Sequence, residues 1–274
     1  SEPVKVYEVT GLGKQRTRMQ RSANQGFSKF VGRSHELATL KNAASKSQAG
    51  RGQVVAIVAE AGTGKSRLVL ESMADFSSDF NVLATSSVSH GKSSYGLPLI
   101  ELLHEYFGIE AQDHEQQRRE KISQKINGLD PQLADVQPYV FSLLSLHGSD
   151  DPSLDMDEAT RLNQTWEGLK RLFVRESVRQ PLTLIFEDLH WIDAQTEAFL
   201  TIMTQAIGTA RILMIVNFRP EYVHLWHNNS YFTQIRLDPL GELAATEMLA
   251  DMLGQNEHLS DLRQLIFEKS SGTP

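Results

Sequence analysis

Apolar residues fall along this chain in short unbroken runs separated by stretches with helical spacing, and that alternation predicts the architecture. Residues 54–58 form one such run, and residues 182–186 and 211–217 carry comparable ones. A strand covered on both faces reads as a continuous apolar run, because neither set of alternating side chains meets water. Two more strands are predicted at 81–88 and 232–237. Before the first run, Leu37 and Leu40 recur at helical spacing, with Ser34 as the expected N-cap. Helical patterns then dominate from 97 to about 180, broken at Gly108, at Asp130-Pro131 and in the polar stretch 148–152. Further helices are predicted at 194–207, 241–253 and 259–269. Strands alternating with helices imply an α/β fold: a mostly parallel sheet with helices on both faces and a helical insertion between its second and third strands. Its ligand belongs at the carboxyl ends of the strands.

The first run breaks into Glu60-Ala61-Gly62-Thr63-Gly64-Lys65-Ser66-Arg67-Leu68. Gly62 and Gly64 let the backbone turn tightly, so that several N–H groups converge where phosphate oxygens can sit. Lys65 supplies a mobile charge for β- and γ-phosphates, and the Ser66 hydroxyl is a suitable hard ligand for Mg²⁺. The helix that follows aims its positive end at the same anions. Strand, turn and helix in this order read as the phosphate-binding loop of a P-loop NTPase. One departure stands out: Ala59 occupies the first Gly position of the pattern, which requires a negative φ there. The third strand ends in Glu187-Asp188, carboxylates expected beside the phosphate-loop strand and within reach of the metal and the attacking water. The fourth strand exits through Asn217 and Arg219, candidates for reading a γ-phosphate, with Arg the usual stabiliser of charge on a transferring phosphoryl group.

Composition narrows the class. With 274 residues, 40% of them hydrophobic, the chain can bury a sizeable core, and its length suits one large or two modest domains. A net charge of −7 argues against a surface that coats nucleic acid, although Lys14 to Arg21 is locally basic. The absence of cysteine removes disulfides, thiolate metal sites and thiol catalysis together. No apolar run reaches membrane-spanning length, and the first residues lack a signal-peptide core, so a cytoplasmic location is expected. Residues 4–9 read as a brief strand and 11–26 as a basic connector. The acidic group Asp150, Asp151, Asp155, Asp157 and Glu158 reads as a loop leading into a helix whose first turn favours carboxylates. His224 and His227, and Glu101 with His104, lack the further ligands that a metal site needs. No Gly-x-Ser-x-Gly elbow supports a serine hydrolase.

Four motifs in order carry a resemblance: Phe30-Val31-Gly32-Arg33 with Glu36-Leu37, the Glu60 to Leu68 loop, Phe186-Glu187-Asp188-Leu189-His190-Trp191-Ile192-Asp193, and Asn217-Phe218-Arg219-Pro220-Glu221-Tyr222. Together they resemble the AAA-type signal-transduction ATPases with numerous domains, the STAND family, over residues 28–274. These modules occur in large bacterial regulators, including multidomain adenylate cyclases and LuxR-type activators. The resemblance implies that Val31, Gly32 and Arg33 lie beside an adenine, and that Arg219 senses the γ-phosphate. Glu187 stands where many relatives hold the Mg²⁺-associated Asp, and the Glu-Asp order leaves open which acid serves metal and which serves water. Ser271-Gly272-Thr273-Pro274 is similar to the Gly-x-Pro motif at the start of the helical lid, so Pro274 joins the expected nucleotide contacts and the ATPase domain is expected to be truncated at the start of its lid. Residues 3–11 are similar to the last strand of a class III nucleotidyl cyclase domain, with 16–21 as the connector after it.

The implied organisation is therefore a cyclase-like end plus linker over 1–27 and an ATPase body over 28–274. The implied function is an ATP and Mg²⁺-dependent switch that hydrolyses ATP slowly and controls an attached output domain, an adenylate or guanylate cyclase. Expected partners are the nucleotide (ATP or ADP), that output domain, a C-terminal sensor or repeat region, and a second copy in a nucleotide-dependent association; neither membrane nor nucleic acid is expected. Two alternatives are a nucleotide-binding scaffold without hydrolysis and the ATPase module of a DNA-binding regulator.

Overall fold

The computed structural model describes residues 27–88, 96–146, 156–224, 226, 229–254 and 257–274. The expected strand and connector before residue 27, the cyclase-like stretch, Asp150, Asp151, Asp155 and His227 lie outside the described residues. Five strands, β1 (Gln53–Val58), β2 (Asn81–Ser86), β3 (Leu182–Glu187), β4 (Ile212–Phe218) and β5 (Phe232–Arg236), form one parallel sheet in the order β2-β3-β4-β1-β5. The five strands expected within the described residues are all present, with ends shifted by at most two residues at any terminus.

The continuous apolar runs have the predicted cause. Along β1, Val54, Ala56 and Val58 point into one core while Val55 and Ile57 point into the other. The same division holds in β4, where Ile212, Met214 and Val216 oppose Leu213 and Ile215. One face is covered by α1 (Ser34–Gln48), through Leu40, Ala43 and Ala44, and by α2 (Lys65–Phe76), through Leu68, Val69 and Phe76. The other face is covered by α3 (Leu97–Phe107), α6 (Glu158–Arg179) and α7 (Ala194–Ile207), with α4 (Glu115–Leu129) and α5 (Gln137–Leu143) joining the same core. Helices α3 to α6 are the insertion expected between β2 and β3. Asp157 and Glu158 behave as the sequence predicts: the Asp157 carboxylate accepts the Thr160 N–H at 3.0 Å and caps α6, and Glu158 lies in its first turn.

Two expectations change. Ser34 is not the cap of α1 but its first residue. Arg33 holds the cap position with a non-helical φ of −130° and makes no side-chain cap bond; its guanidinium instead donates to the Asp238 carbonyl at 2.6 Å and to Glu36 at 3.3 Å. The acidic strand β3 is also not adjacent to β1. Strand β4 lies between them, so Asn217 stands between the phosphate loop and the acids. Two final helices, α8 (Glu242–Leu253) and α9 (Ser260–Ser270), pack on each other and return the chain to the carboxyl end of β1. Among the described residues no helix is long and apolar enough to cross a membrane.

Candidate functional site

The site begins where β1 ends. The Ala59 N–H still pairs with the Phe218 carbonyl at 3.2 Å, so the sheet fixes the loop's first residue. Ala59 is absent from the residues with positive φ, the condition its small side chain needs. Gly62 and Gly64 do adopt positive φ, 82° and 96°, a conformation open to Gly at little cost and strained for other residues. Between them the Thr63 hydroxyl donates to the Glu60 carbonyl, and Glu60 and Ala61 form the exposed tip. Lys65 is buried at the start of α2, and its Nζ donates to the Ala59 and Glu60 carbonyls, each at 2.8 Å. Burial lowers the Lys65 pKa below the ordinary lysine value, and the charge of Asp188 opposes that shift. The cradle has the glycines, the lysine and the hydroxyl that a polyphosphate needs, so the loop fits one.

The acids of β3 face this loop through a small network. Asn217, 1% exposed, donates from Nδ2 to Glu187 Oε2 at 3.2 Å and accepts the Asp188 N–H on Oδ1 at 2.9 Å. Burial raises the Glu187 pKa above the ordinary carboxylate value, while hydrogen bonds with Ser66 and Asn217 pull it back. Ser66 and Glu187, both expected at the metal, are thus already in contact. Asp188 differs: its side chain is 43% exposed, and its backbone is left-handed at φ 60°, a strained geometry for a non-glycine residue. Arg219 follows β4. Its guanidinium lies 6.0 Å from the Trp191 ring centroid and 4.0 Å from Glu221 Oε1.

One residue that sequence reasoning left without a role is His190. Its side chain is only 6% exposed, Nδ1 lies 4.0 Å from Asp188 Oδ1, and among the described residues neither ring nitrogen has a hydrogen-bond partner. Burial lowers its pKa below the usual histidine value, against the pull of Asp188. The available signal was a polar ring two residues beyond the acid, inside the strand-end motif.

Beside the phosphate loop lies a cavity of about 180 Å³. Val31, Arg33, Gly62, Thr63, Gly64, Arg67 and Pro274 all line it, so the expected adenine loop, phosphate loop and chain end converge. Gly32 sits just behind, so close to α8 that a Cβ on it would stand 2.7 Å from Ala244 Cβ. Phe30, Leu240 and Met248, which carried no role in the sequence reading, supply apolar walls. A flat base stacked between aliphatic and aromatic side chains suits such a space.

Comparison with known proteins agrees with the α/β fold. The AAA ATPase domain family matches residues 29–216. An uncharacterized protein of Rhizobium meliloti (strain 1021) is 28% identical over 216 residues, 77% of this chain and 20% of that protein, so the chain spans about a fifth of that relative's length. Among solved structures, one of Drosophila ORC bound to DNA aligns with a TM-score of 0.52 at 10% identity, over 98% of this chain and 59% of that one. A STAND protein with a tetratricopeptide repeat sensor from Pyrococcus horikoshii aligns with a TM-score of 0.45 at 14% identity, over 90% of this chain and 29% of that one. At 10% identity the Drosophila structure speaks for the fold alone. The family match spans most of the chain, and with it the conclusion follows: the chain belongs to the AAA ATPase domain family and carries an AAA ATPase-type nucleotide-binding module.

Proposed function

We propose that this module is an ATP and Mg²⁺-dependent regulatory switch of the STAND type that hydrolyses ATP slowly. The observation that carries the reading is the convergence of Lys65, Ser66, Glu187, Asp188, Asn217 and Arg219 at the carboxyl ends of β1, β3 and β4, beside a cavity of about 180 Å³. In this reading Lys65 leaves the loop carbonyls for the β- and γ-phosphates, and Ser66 and Glu187 hold the metal. Mg²⁺, when bound, supplies positive charge that offsets the charge of the β- and γ-phosphate oxygens. Asp188, more exposed and aimed by Asn217, orients the attacking water. His190 is a positioning residue behind it. Arg219 exchanges Glu221 and Trp191 for the γ-phosphate and so distinguishes ATP from ADP.

The wider context belongs to the same proposal. We assign residues 28–274 to the ATPase body and residues 1–27 to the end of a preceding cyclase-like unit and its linker, on the likeness of residues 3–11 to a nucleotidyl cyclase strand. The output is then an attached cyclase, regulated by nucleotide-dependent self-association and by a sensor region. The small share of the Rhizobium meliloti protein that the chain covers is the proportion expected of one module in a large regulator. The test is phosphate release with calorimetric ATP binding for wild type, Lys65→Ala and Asp188→Asn. Lys65→Ala should lose at least about tenfold in ATP affinity, roughly 1.4 kcal/mol. Asp188→Asn should retain binding and lose turnover. Unchanged ATP affinity in a folded Lys65→Ala protein would remove the phosphate-loop assignment.

A further inference from the structure

The base cavity has three walls drawn from distant parts of the chain: the phosphate loop with α2, the C-terminal helices, and the segment 28–33 between them. That middle wall has no regular secondary structure over residues 27–31, so no backbone ladder fixes its position. Side chains pin it instead. The Arg67 guanidinium lies 3.8 Å from the Phe27 ring centroid and 5.8 Å from that of Phe30, and it donates to the Ser28 carbonyl at 3.2 Å. Its plane is set from the other side by Glu71, which accepts from Arg67 Nε at 2.7 Å. A second pin runs to α8. The Lys29 N–H donates to Asp251 at 2.8 Å, and Lys29 Nζ pairs with Glu247 at 2.6 Å. Val31 then buries itself with Leu240 and Ala245, closing the segment onto the C-terminal helices.

We propose that Arg67, although it stands inside the phosphate-loop motif, acts on the nucleoside and not on the phosphates. It is a positioning residue that holds the 27–30 segment as the wall of the base site, and Lys29 ties the same wall to α8. This inference rests on the nucleotide reading of the cavity. Two features of the geometry support it. The guanidinium is committed to an aromatic face and a backbone carbonyl of the 27–30 segment, with Glu71 fixing it one helical turn away. A flat, bidentate cation is also the side chain best suited to hold a ring and a carbonyl together.

The experiment separates base from phosphate by titrating ATP, ADP and inorganic tripolyphosphate, each with Mg²⁺, into wild type, Arg67→Ala, Arg67→Lys and Lys29→Ala. Urea unfolding of each variant checks the fold. Arg67→Ala should weaken ATP and ADP alike by about tenfold, the scale of a cation–π contact plus a hydrogen bond, with tripolyphosphate binding changed less than about twofold. Arg67→Lys, which keeps charge but loses the flat face, should show the same selectivity with a smaller loss, and it carries the test if the Ala variant unfolds. Lys29→Ala should shift the ATP to tripolyphosphate ratio in the same direction. Equal losses for tripolyphosphate and ATP, or no loss for either, would overturn the proposal. Wild type that binds tripolyphosphate as tightly as ATP would also overturn it, since the cavity would then contribute nothing. Wild type that binds neither ligand would instead overturn the nucleotide reading beneath it.

Discussion

Replacing Asn217 by Ala should separate catalysis from binding more cleanly than changing either acid. The side chain makes two hydrogen bonds, one to the Asp188 N–H at 2.9 Å and one to the Glu187 carboxylate at 3.2 Å, and it is 1% exposed. A neutral hydrogen bond contributes about 1 kcal/mol and one to a charged group about 1.5–3 kcal/mol, so their loss should cost roughly 2.5–4 kcal/mol of stability. The excess of the second bond over a neutral one exists only while Glu187 is ionised, since a protonated carboxyl still accepts but more weakly. Asn217 is one of two hydrogen-bonding groups that restrain the raised Glu187 pKa, so the variant should protonate Glu187 more readily and lose less stability in acid than at neutral pH. Asp188 feels the change through its backbone. Its left-handed geometry costs about 1–2 kcal/mol, and the bond from its N–H to Asn217 is one of the contacts that hold it there. Turnover should therefore fall with little change in ATP affinity, since Lys65 and the glycine turn are untouched. Urea unfolding at pH 7 and near pH 4, calorimetric ATP binding and steady-state phosphate release provide the readouts. A stability change below about 0.5 kcal/mol with turnover intact would refute the reasoning, because two buried partners would then have been lost without consequence.

Arg219→Ala should cost ATP about tenfold to a hundredfold in affinity and leave ADP nearly unchanged, the effect of one charge-assisted bond to a group that ADP lacks; parallel titrations check it, and equal changes would return Arg219 to its pairing with Glu221. Glu187→Gln should make the protein more stable at pH 7 while abolishing Mg²⁺-dependent turnover. The Glu187 pKa is raised in the fold, so its favourable contribution is present below pH 4.5 and lost as pH rises through the folded value; the variant's advantage in urea should shrink toward zero near pH 4. His190 has the opposite sign: its folded pKa is depressed, the unfolded chain binds more protons below pH 6.5, and stability must fall as pH drops through that region. Urea midpoints at pH 7.5 and 5.5 should therefore differ more for wild type than for His190→Phe, and identical pH dependence in the two proteins would show that His190 titrates normally.

Much of the fold was legible in the sequence because it is locally encoded. A strand buried on both faces must be apolar at every position, so β1, β3 and β4 announce themselves. Tight turns that present backbone N–H groups need glycines at fixed places, so Gly62, Gly64 and Lys65 could be read in register with the strand before them. The helical insertion was visible as the long stretch of helical spacing between β2 and β3. What local pattern could not fix was which strand lies beside which. Strand order depends on contacts between residues far apart in the chain, and only the folded sheet inserts β4 between the phosphate-loop strand and the acids. That one placement turns Asn217 from a residue at the end of a strand into the bridge between Glu187 and Asp188. Nor does local pattern place the start of α1: the helix begins at Ser34 itself, with Arg33 before it bonded to Asp238, 205 residues away. The cavity proposed for the base was legible only in part, through Val31, Arg33 and Pro274. Its walls come from residues 28–33, from α2 and from the C-terminal helices, and Phe30, Leu240 and Met248 read locally as ordinary apolar positions. Burial of His190 likewise comes from neighbours that no local spacing reveals, and it is the tertiary fold that gives this ring its depressed pKa beside Asp188.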